Sequence, residues 1–225
     1  MEDEPLAKQL SEIKMQFSAI LEEIGCQYDD YIPKISKAIS QKRLQHTLGV
    51  VKQAIHLANL HGVAKKEAVL SSLLHDVAKE MPLQEMQNVL LDAKRIDERF
   101  YENANILHGY AGARVAKQHY AIKDEAILCA ITHHTVGKEN MSPLDLVLFV
   151  ADATEQYRPY FPGLSLMREA SVISLELGAY LSLLLTKNYL KEQNKPMSSL
   201  SLDTEQWLSR CIPTEISHFL HFILE

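Results

Sequence analysis

Apolar residues recur at intervals of three and four along most of the chain, which is the spacing of helices that bury one face. Between residues 6 and 24 charged side chains separate them, so this segment predicts an amphipathic N-terminal helix. Its apolar positions are Leu6, Leu10, Ile13, Phe17, Ile20 and Ile24. We expect this face to pack on the chain's own core, with a partner protein or a homodimer contact as the alternative.

A second helix is predicted for residues 41–60, after an interruption at Pro33 and the two aspartates that precede it. Two neighbouring rows of apolar side chains run along this helix, so a wide arc of it must be buried. His46 stands in one of these rows and therefore points into the protein. Gly62 ends the helix, because glycine tolerates the left-handed conformation that follows a last turn.

The rest of the chain also shows helical start and stop signals. A third helix is predicted for residues 65–79, and residues 83–107 predict one or two short helices. The later predicted helices are one that opens at His108, one that Asp124 caps and Gly137 ends, one from Ser142 to about Tyr157, one over residues 165–193, and terminal helices over residues 203–225. With only eight glycines, eight prolines and no convincing strand alternation, the sequence predicts an all-α fold.

The formal net charge of −6 at pH 7 narrows the class of ligand. General binders of DNA or RNA polymers neutralise many phosphates with Lys and Arg, so we expect no nucleic-acid polymer as a partner. An anionic substrate would have to be a small molecule held at a local positive site.

Terminal and cysteine patterns predict a cytoplasmic protein that does not enter a membrane. The first residues are acidic and lack the basic start and apolar core of a signal peptide, and no uncharged apolar run reaches about 18 residues. The three cysteines are odd in number and widely spaced, which is typical of reduced thiols rather than of a disulfide framework.

His75-Asp76, near the end of the third predicted helix, is the pair that a purely structural interpretation explains poorly. It lies in the apolar sequence Leu-Leu-His-Asp-Val-Ala, and a buried carboxylate is costly unless it is paired or binds a metal. Adjacent helical residues diverge by about 100°, so the two side chains could meet one ion near their shared edge, or the carboxylate could bridge two ions. Other predicted helices add imidazoles and a carboxylate, a mixture that suits divalent iron, manganese or zinc.

The order of these residues resembles the HD-domain phosphohydrolase superfamily, and the surrounding sequence is similar to that of the bacterial YqeK family. The resemblance covers roughly residues 33–208. The motifs that carry it are LLHDVAK at 73–79, HGYAGA at 108–113, AITHHTVG at 130–137 and VADATE at 150–155. It implies an HD-domain helical bundle with an iron-containing two-metal site that cleaves diadenosine tetraphosphate symmetrically into two ADP.

Carried onto this sequence, the resemblance implies six metal ligands, with Asp76 as the bridging carboxylate. They are His46, His75, Asp76, His108, His134 and Asp152. A tyrosine usually precedes the ligand in the family's third motif, so we expect His134 to be the ligand. His133 then takes the tyrosine position, where it either packs in the core or lines the pocket.

Phosphoanhydride hydrolysis needs a nucleophile at neutral pH and neutralisation of the phosphoryl charge, and two divalent ions supply both. We expect iron, with manganese or another divalent transition metal as alternatives. The side chains expected near the phosphates are Lys79, with a catalytic role, and Thr135, Arg158, Arg43 and Arg114. After Glu155 the family's proline is missing, and the spacing to the Phe-Pro-Gly sequence is one residue longer.

The sequence thus predicts a metal-dependent hydrolase of nucleotide phosphoanhydrides with an N-terminal helical extension, residues 1–32, an HD-domain core, 33–208, and a C-terminal helical tail, 209–225. The alternatives are an HD phosphohydrolase for another nucleotide and a non-catalytic, nucleotide-binding HD module with a regulatory role. Because every expected ligand position is filled, an enzyme is the favoured interpretation.

Overall fold

The computed structural model describes residues 3–91 and 100–224, and these ranges contain helices and no β-strand. The expected all-α fold is therefore confirmed. The helices are α1 (Asp3–Glu23), α2 (Tyr28–Ala38), α3 (Gln41–His61), α4 (Lys65–Leu74), α5 (Leu83–Val89), α6 (Ala104–His119), α7 (Glu125–His133), α8 (Pro143–Thr154), α9 (Leu164–Ile173), α10 (Leu175–Glu192), α11 (Ser199–Cys211) and α12 (Thr214–Leu224). None of these helices is long and apolar enough to cross a membrane.

The N-terminal helix α1 lies against the chain's own core, where it contacts α2 and α3. Phe17 and Leu21 are fully buried in this contact and Ile13 is nearly so. Of the predicted apolar face, Ile13 and Phe17 therefore dock within the molecule and Ile20 and Ile24 are partly buried, whereas the side chains of Leu6 and Leu10 lie outside the described part.

Helix α2 occupies a segment that the sequence was expected to leave irregular. Pro33 lies inside it, and the apolar side chains of Ile32 and Ile35 are buried on either side of the proline. The chain does interrupt the helix, at residues 24–27, but the expected break at Pro33 was wrong because burial of this face outweighs the loss of one backbone donor at the proline. The expected domain boundary between residues 32 and 33 falls inside α2, and the one between 208 and 209 falls inside α11.

Helix α3 packs on α4 and α8. The Ser40 side chain caps its first turn, and Gly62 ends it in the left-handed conformation with φ +69°. The predicted start and stop of this helix are confirmed. Helix α7 packs on α4, α6 and α8, so that α3, α4, α6, α7 and α8 surround one interior region.

Three predicted boundaries differ from the structure around this interior. Helix α4 ends at Leu74 rather than at residue 79, α6 begins at Ala104 rather than at His108, and α8 ends at Thr154 rather than at Tyr157. In each case capping and turn geometry, not the apolar period, decides where the helix begins or ends. The short helices predicted for residues 83–107 correspond to α5 and the start of α6, and residues 92–99 lie outside the described part.

The single long helix predicted for residues 165–193 is two helices. Ser174 between α9 and α10 has an extended backbone, with φ −153° and ψ 135°, and its hydroxyl accepts a hydrogen bond from the backbone N–H of Leu177. A serine N-cap therefore restarts the helix in a new direction, which the continuous apolar pattern concealed.

Candidate metal centre

The structure brings all six expected ligands into one cluster, with the Asp76 carboxylate at its middle. Asp76 Oδ1 lies 3.2 Å from His108 Nε2 and 3.7 Å from His134 Nε2. Its other oxygen, Oδ2, lies 3.3 Å from His75 Nε2 and 3.7 Å from His46 Nε2. The two oxygens thus face different imidazoles, so that the carboxylate is shared between the two sides of the cluster.

Asp152 completes the side of the cluster that His46 occupies. Its Oδ1 lies 3.1 Å from His46 Nε2. Three overlapping triads bring their potential ligand atoms within 4.8 Å of one another. They are His46 with His75 and Asp76, His75 with His134 and Asp152, and Asp76 with His108 and His134.

Hydrogen bonds to the outer ring nitrogens fix the orientation of three of these imidazoles. Nδ1 of His75 donates to the Ser72 carbonyl oxygen at 2.6 Å, and Nδ1 of His134 donates to that of Ile131 at 2.7 Å. His108 uses the Ala104 carbonyl oxygen at 3.3 Å in the same way. A carbonyl oxygen only accepts, so Nδ1 carries the hydrogen and Nε2 turns its lone pair towards the cluster, as in metal-bound histidines.

This arrangement of lone pairs fits a cation better than it fits a self-contained network. His108 Nε2 and His134 Nε2 face each other at 3.0 Å, so two lone pairs would repel unless a positive charge lies near both. Carboxylate oxygens lie 3.1 Å from His46 Nε2 and 3.3 Å from His75 Nε2, but neither buried nitrogen makes a hydrogen bond of good geometry. Buried polar atoms without partners are costly, and a shared metal ion removes that cost.

The His75-Asp76 pair lies where the α-helix tightens into turns. His75 caps the C-terminal end of α4, and the next backbone N–H groups bond three residues back: Val77 to Leu74 and Lys79 to Asp76. Such i→i+3 winding has about three residues per turn, so it redirects Asp76 relative to a continued α-helix. Both side chains are almost fully buried.

The electrostatics of the cluster keep its central carboxylates charged. Burial raises the pKa of Asp76, but the electrostatic interaction with His75 and the contacts with His108 and His134 outweigh it and hold that pKa well below its usual range. Burial likewise raises the pKa of Asp152, and the nearby Arg158 and His46 lower it well below normal. Carboxylates that stay ionised in the interior attract a cation.

Two imidazoles respond to this field in opposite ways. Burial lowers the pKa of His46, yet the carboxylates of Asp152 and Glu155 outweigh it and raise the pKa to about 9. Burial lowers the pKa of His108 to about 4, so that imidazole stays neutral. The space between His46 and Asp152 therefore attracts positive charge, which a bound metal ion would supply in place of a proton.

Two of the expected cationic side chains reach the cluster directly. Arg43 Nη1 lies 2.9 Å from Asp76 Oδ2, and Arg158 Nη2 lies 2.6 Å from Asp152 Oδ1. Burial has the largest effect on the Lys79 ammonium and lowers its pKa. The carboxylates of Asp76 and Asp152 act in the opposite direction and raise it. These three cations form the positive side of the site.

The remaining expected residues divide between the site and its surroundings. The Thr135 hydroxyl lies 3.2 Å from His134 Nε2 and 3.4 Å from His108 Nε2, at the edge of the cluster. Arg114 has no ion pair or hydrogen bond to any of these groups within the described ranges, and its buried Nε has no partner. The contacts therefore give no support to Arg114 as a substrate residue.

His133 stands apart from the cluster, which supports the choice of His134 as the ligand. Its Nδ1 donates to the Cys129 carbonyl oxygen at 2.9 Å, and its ring packs against Tyr110 at 6.2 Å between centroids. Of the two interpretations left open for His133, packing is the one that these contacts favour.

Glu155 is a buried residue at the site whose role the sequence did not predict. Its carboxylate is 1% exposed and its Oε1 lies 3.1 Å from His46 Nδ1. One signal was present in the sequence, a second carboxylate three residues after Asp152 at the end of an apolar helix. The sequence pattern did not indicate that the Glu155 carboxylate would lie beside His46.

A cavity of about 760 Å³ opens beside the cluster, between α8, α9 and α10. His134, Thr135, Asp152 and Arg158 form its end at the cluster. Apolar side chains, including Phe161, Met167 and Leu183, also line it, and so do polar side chains on α10, including Asn188 and Glu192.

The sequence of the chain is similar to a known protein family and to described proteins. The HD-domain family model matches residues 43–157. The symmetrical bis(5'-nucleosyl)-tetraphosphatase of Halalkalibacterium halodurans is 33% identical over 166 residues, which cover 74% of this chain and 88% of the relative. The protein of the same name from Bacillus subtilis is 31% identical over 174 residues, with 77% and 93% covered.

A solved structure shows the same fold. The crystal structure of a predicted HD superfamily hydrolase involved in NAD metabolism, from Clostridium acetobutylicum, matches with a TM-score of 0.79 and 27% identity. The match covers 83% of this chain and 98% of that one.

Proposed function

Because the chain belongs to the HD-domain family, and within it to the family of the symmetrical bis(5'-nucleosyl)-tetraphosphatases, we propose that it hydrolyses diadenosine tetraphosphate into two ADP. We further propose that the six clustered side chains hold two divalent transition-metal ions, with iron favoured over manganese. We also propose that it acts in the cytoplasm.

The observation that carries this proposal is the division of ligands around Asp76. Oδ1 faces His108 and His134, whereas Oδ2 faces His75 and His46, with Asp152 beyond. Each side offers imidazole nitrogens and a carboxylate oxygen, a donor set that suits iron or manganese.

Bound divalent ions would lower the pKa of water and neutralise charge on the phosphoryl oxygens. The chain's own groups do the rest of the work. Arg43, Arg158 and Lys79 lie around the carboxylates, where their charges can hold the oxygens of a polyphosphate that displaces them from the aspartates. Thr135 can donate a hydrogen bond to a phosphoryl oxygen at the edge of the cluster.

The cavity beside the cluster supports a nucleotide substrate. Its volume of about 760 Å³ lies within the range of small-molecule pockets, roughly 300–1,000 Å³. Because its lining combines Asp152 and Arg158 with apolar side chains, a nucleoside can occupy it while the phosphates reach the cluster.

The test combines elemental analysis of the purified protein with a product assay on diadenosine tetraphosphate, guanosine tetraphosphate and nucleoside monophosphates. We expect bound iron or another transition metal and release of ADP alone. Formation of ATP and AMP would contradict symmetrical cleavage, and turnover of only another substrate would reassign the enzyme within the HD-domain family.

Asp76→Asn should abolish this activity, because it removes the charge that both sides of the cluster share. A loss of several kcal/mol of transition-state stabilisation corresponds to a decrease on the order of 1,000-fold in kcat/KM. Asp203→Asn, at an exposed carboxylate on α11, is the matched control and should keep wild-type activity.

A further inference from the structure

Glu155 lies directly behind one imidazole of the cluster, on the side away from the cavity-lining carboxylate of Asp152. We propose that Glu155 is a positioning residue that holds His46 with its Nε2 towards Asp76 and Asp152, and so sets the affinity for the ion on that side of the centre. This inference rests on the proposed metal-dependent function.

The Glu155 carboxylate is buried, and each of its two oxygens accepts a hydrogen bond. It is 1% exposed, and a buried carboxylate is costly unless a donor or a positive charge compensates it. Its Oε1 accepts from His46 Nδ1 at 3.1 Å, and its Oε2 accepts from the backbone N–H of Tyr157 at 2.5 Å. Within the described ranges, His46 is the one ionisable side chain in ion-pair contact with it.

Gly49, one turn after His46 on α3, provides the space that this carboxylate occupies. A Cβ at position 49 would lie 2.1 Å from Glu155 Oε2 and 2.9 Å from the Tyr157 ring. A side chain at that position would therefore push Glu155 away from the imidazole. The glycine costs helix stability, and room for Glu155 gives a physical reason for it.

The backbone of Glu155 is held as firmly as its side chain. Arg168 on α9 donates from Nε to the Thr154 carbonyl oxygen at 2.9 Å and from Nη2 to the Glu155 carbonyl oxygen at 2.7 Å. These bonds satisfy carbonyl groups at the end of α8 that lack helical partners. Glu155 therefore approaches His46 from a fixed point.

The carboxylate makes His46 different from the other three imidazoles. Those three donate Nδ1–H to backbone carbonyl oxygens of their own helices, whereas His46 donates to an anion that comes from another helix. A carboxylate partner makes the ligating nitrogen more basic than a carbonyl partner does, and loss of such partners typically weakens metal binding about 10–100-fold. The ion next to His46 should therefore depend on Glu155, and the ion next to His108 should not.

The test titrates metal-depleted protein with Mn²⁺ alone and follows binding by calorimetry, without substrate. For Glu155→Gln we expect one binding step to weaken by about 10–100-fold while the rest of the isotherm stays as in the wild type. Gly49→Ala displaces the carboxylate without changing any titratable group, and should weaken the same step. Glu205→Gln, at a buried carboxylate that pairs with Lys187, is the matched control and should bind like the wild type.

The dependence of kcat on Mn²⁺ concentration provides a second measurement. If Glu155 only stabilised the fold, added Mn²⁺ would not restore kcat in the variant. Raising the Mn²⁺ concentration should restore kcat in both variants, because the loss lies in occupancy. Unchanged Mn²⁺ binding in Glu155→Gln would overturn the inference. So would equal weakening of every binding step together with an unstable fold. Wild-type protein that binds no Mn²⁺ would overturn it as well. If the wild type binds Mn²⁺ but leaves diadenosine tetraphosphate intact, the proposed substrate is wrong and the role of Glu155 still stands on the isotherms.

Discussion

At the scale of single residues, the orientation of the expected ligands is set largely by their own helices. His75 and His134 each donate Nδ1–H to the carbonyl oxygen three residues earlier, and His108 uses the one four residues earlier. These carbonyl groups lie within or next to the helix that carries the histidine. Local structure therefore fixes which nitrogen faces the cluster, and tertiary packing needs only to bring the helices together.

Arg158 is the cation that joins the cluster to the cavity, since it pairs with Asp152 and also lines the cavity wall. Arg158→Met should lower kcat/KM for diadenosine tetraphosphate by about 10–100-fold, because a hydrogen bond to a charged group contributes about 1.5–3 kcal/mol. Steady-state kinetics at saturating metal would measure it.

The control for this experiment is Arg210→Met. Arg210 pairs with Glu139 on the exposed surface, with 60% of its side chain accessible, and should have no kinetic effect. Equal kinetics in Arg158→Met and the wild type would remove Arg158 from the substrate site.

At the scale of elements, the ends of helices shape the site more than their middles. His75 stands at the C-cap of α4, His134 at the C-cap of α7, and Asp152 in the last turn of α8. Helix ends leave backbone groups free and allow the chain to change direction, so side chains there can converge from several helices.

Gly137, which ends the turn after α7, is expected to be required for both its conformation and its contact. Its φ is +70°, and a Cβ would lie 2.5 Å from Thr204 Cγ2 on α11. Gly137→Ala should lower the free energy of unfolding by the left-handed cost of about 1–2 kcal/mol plus about 1–3 kcal/mol of overpacking. Urea denaturation would measure the loss.

Gly62→Ala is the matched comparison because its φ is +69° and nothing lies within 4 Å of the added Cβ. It should show only the conformational part, about 1–2 kcal/mol. If the two alanine variants lose the same stability, the packing between Gly137 and Thr204 has no energetic role.

At the scale of the whole molecule, α1 behaves as part of the core and not as an appendage. Phe17 is fully buried, so Phe17→Ala should lower the free energy of unfolding by about 3–5 kcal/mol through lost burial and the cavity it leaves. Met15, on the same helix, is 66% exposed, and Met15→Ala should stay within about 0.5 kcal/mol of the wild type. A small effect of Phe17→Ala in denaturant titrations would show that α1 is dispensable for folding.

Metal binding should also stabilise the whole fold, because the proposed ligands come from α3, α6, α8 and the ends of α4 and α7. At a free metal concentration of 100 times Kd the gain is about 2.7 kcal/mol, which corresponds to roughly 5–11 °C in Tm for a chain of this size. Differential scanning fluorimetry before and after chelation would measure it. An equal Tm in both samples would contradict a site assembled from five helices.

The sequence predicted the presence of most helices correctly, but it predicted fewer of their ends. The capping signals at Ser142 and Asp124 and the turn at Gly62 are confirmed, because a cap needs only neighbouring residues. The helix through Pro33 was missed because it depends on burial of Ile32 and Ile35, and the serine cap at Ser174 was missed because the apolar pattern continues across it.

The sequence by itself determined which residue types occur and in what order: six potential ligands on successive helical segments, each next to apolar neighbours that force it inwards. Only the tertiary structure decided that the two oxygens of Asp76 face different imidazoles, that Arg43 and Arg158 pair with the aspartates, and that Glu155 stands behind His46. The physical reason is distance along the chain. Helical periodicity acts over a few residues, whereas His46 and Glu155 are 109 residues apart and meet because α3 packs on α8.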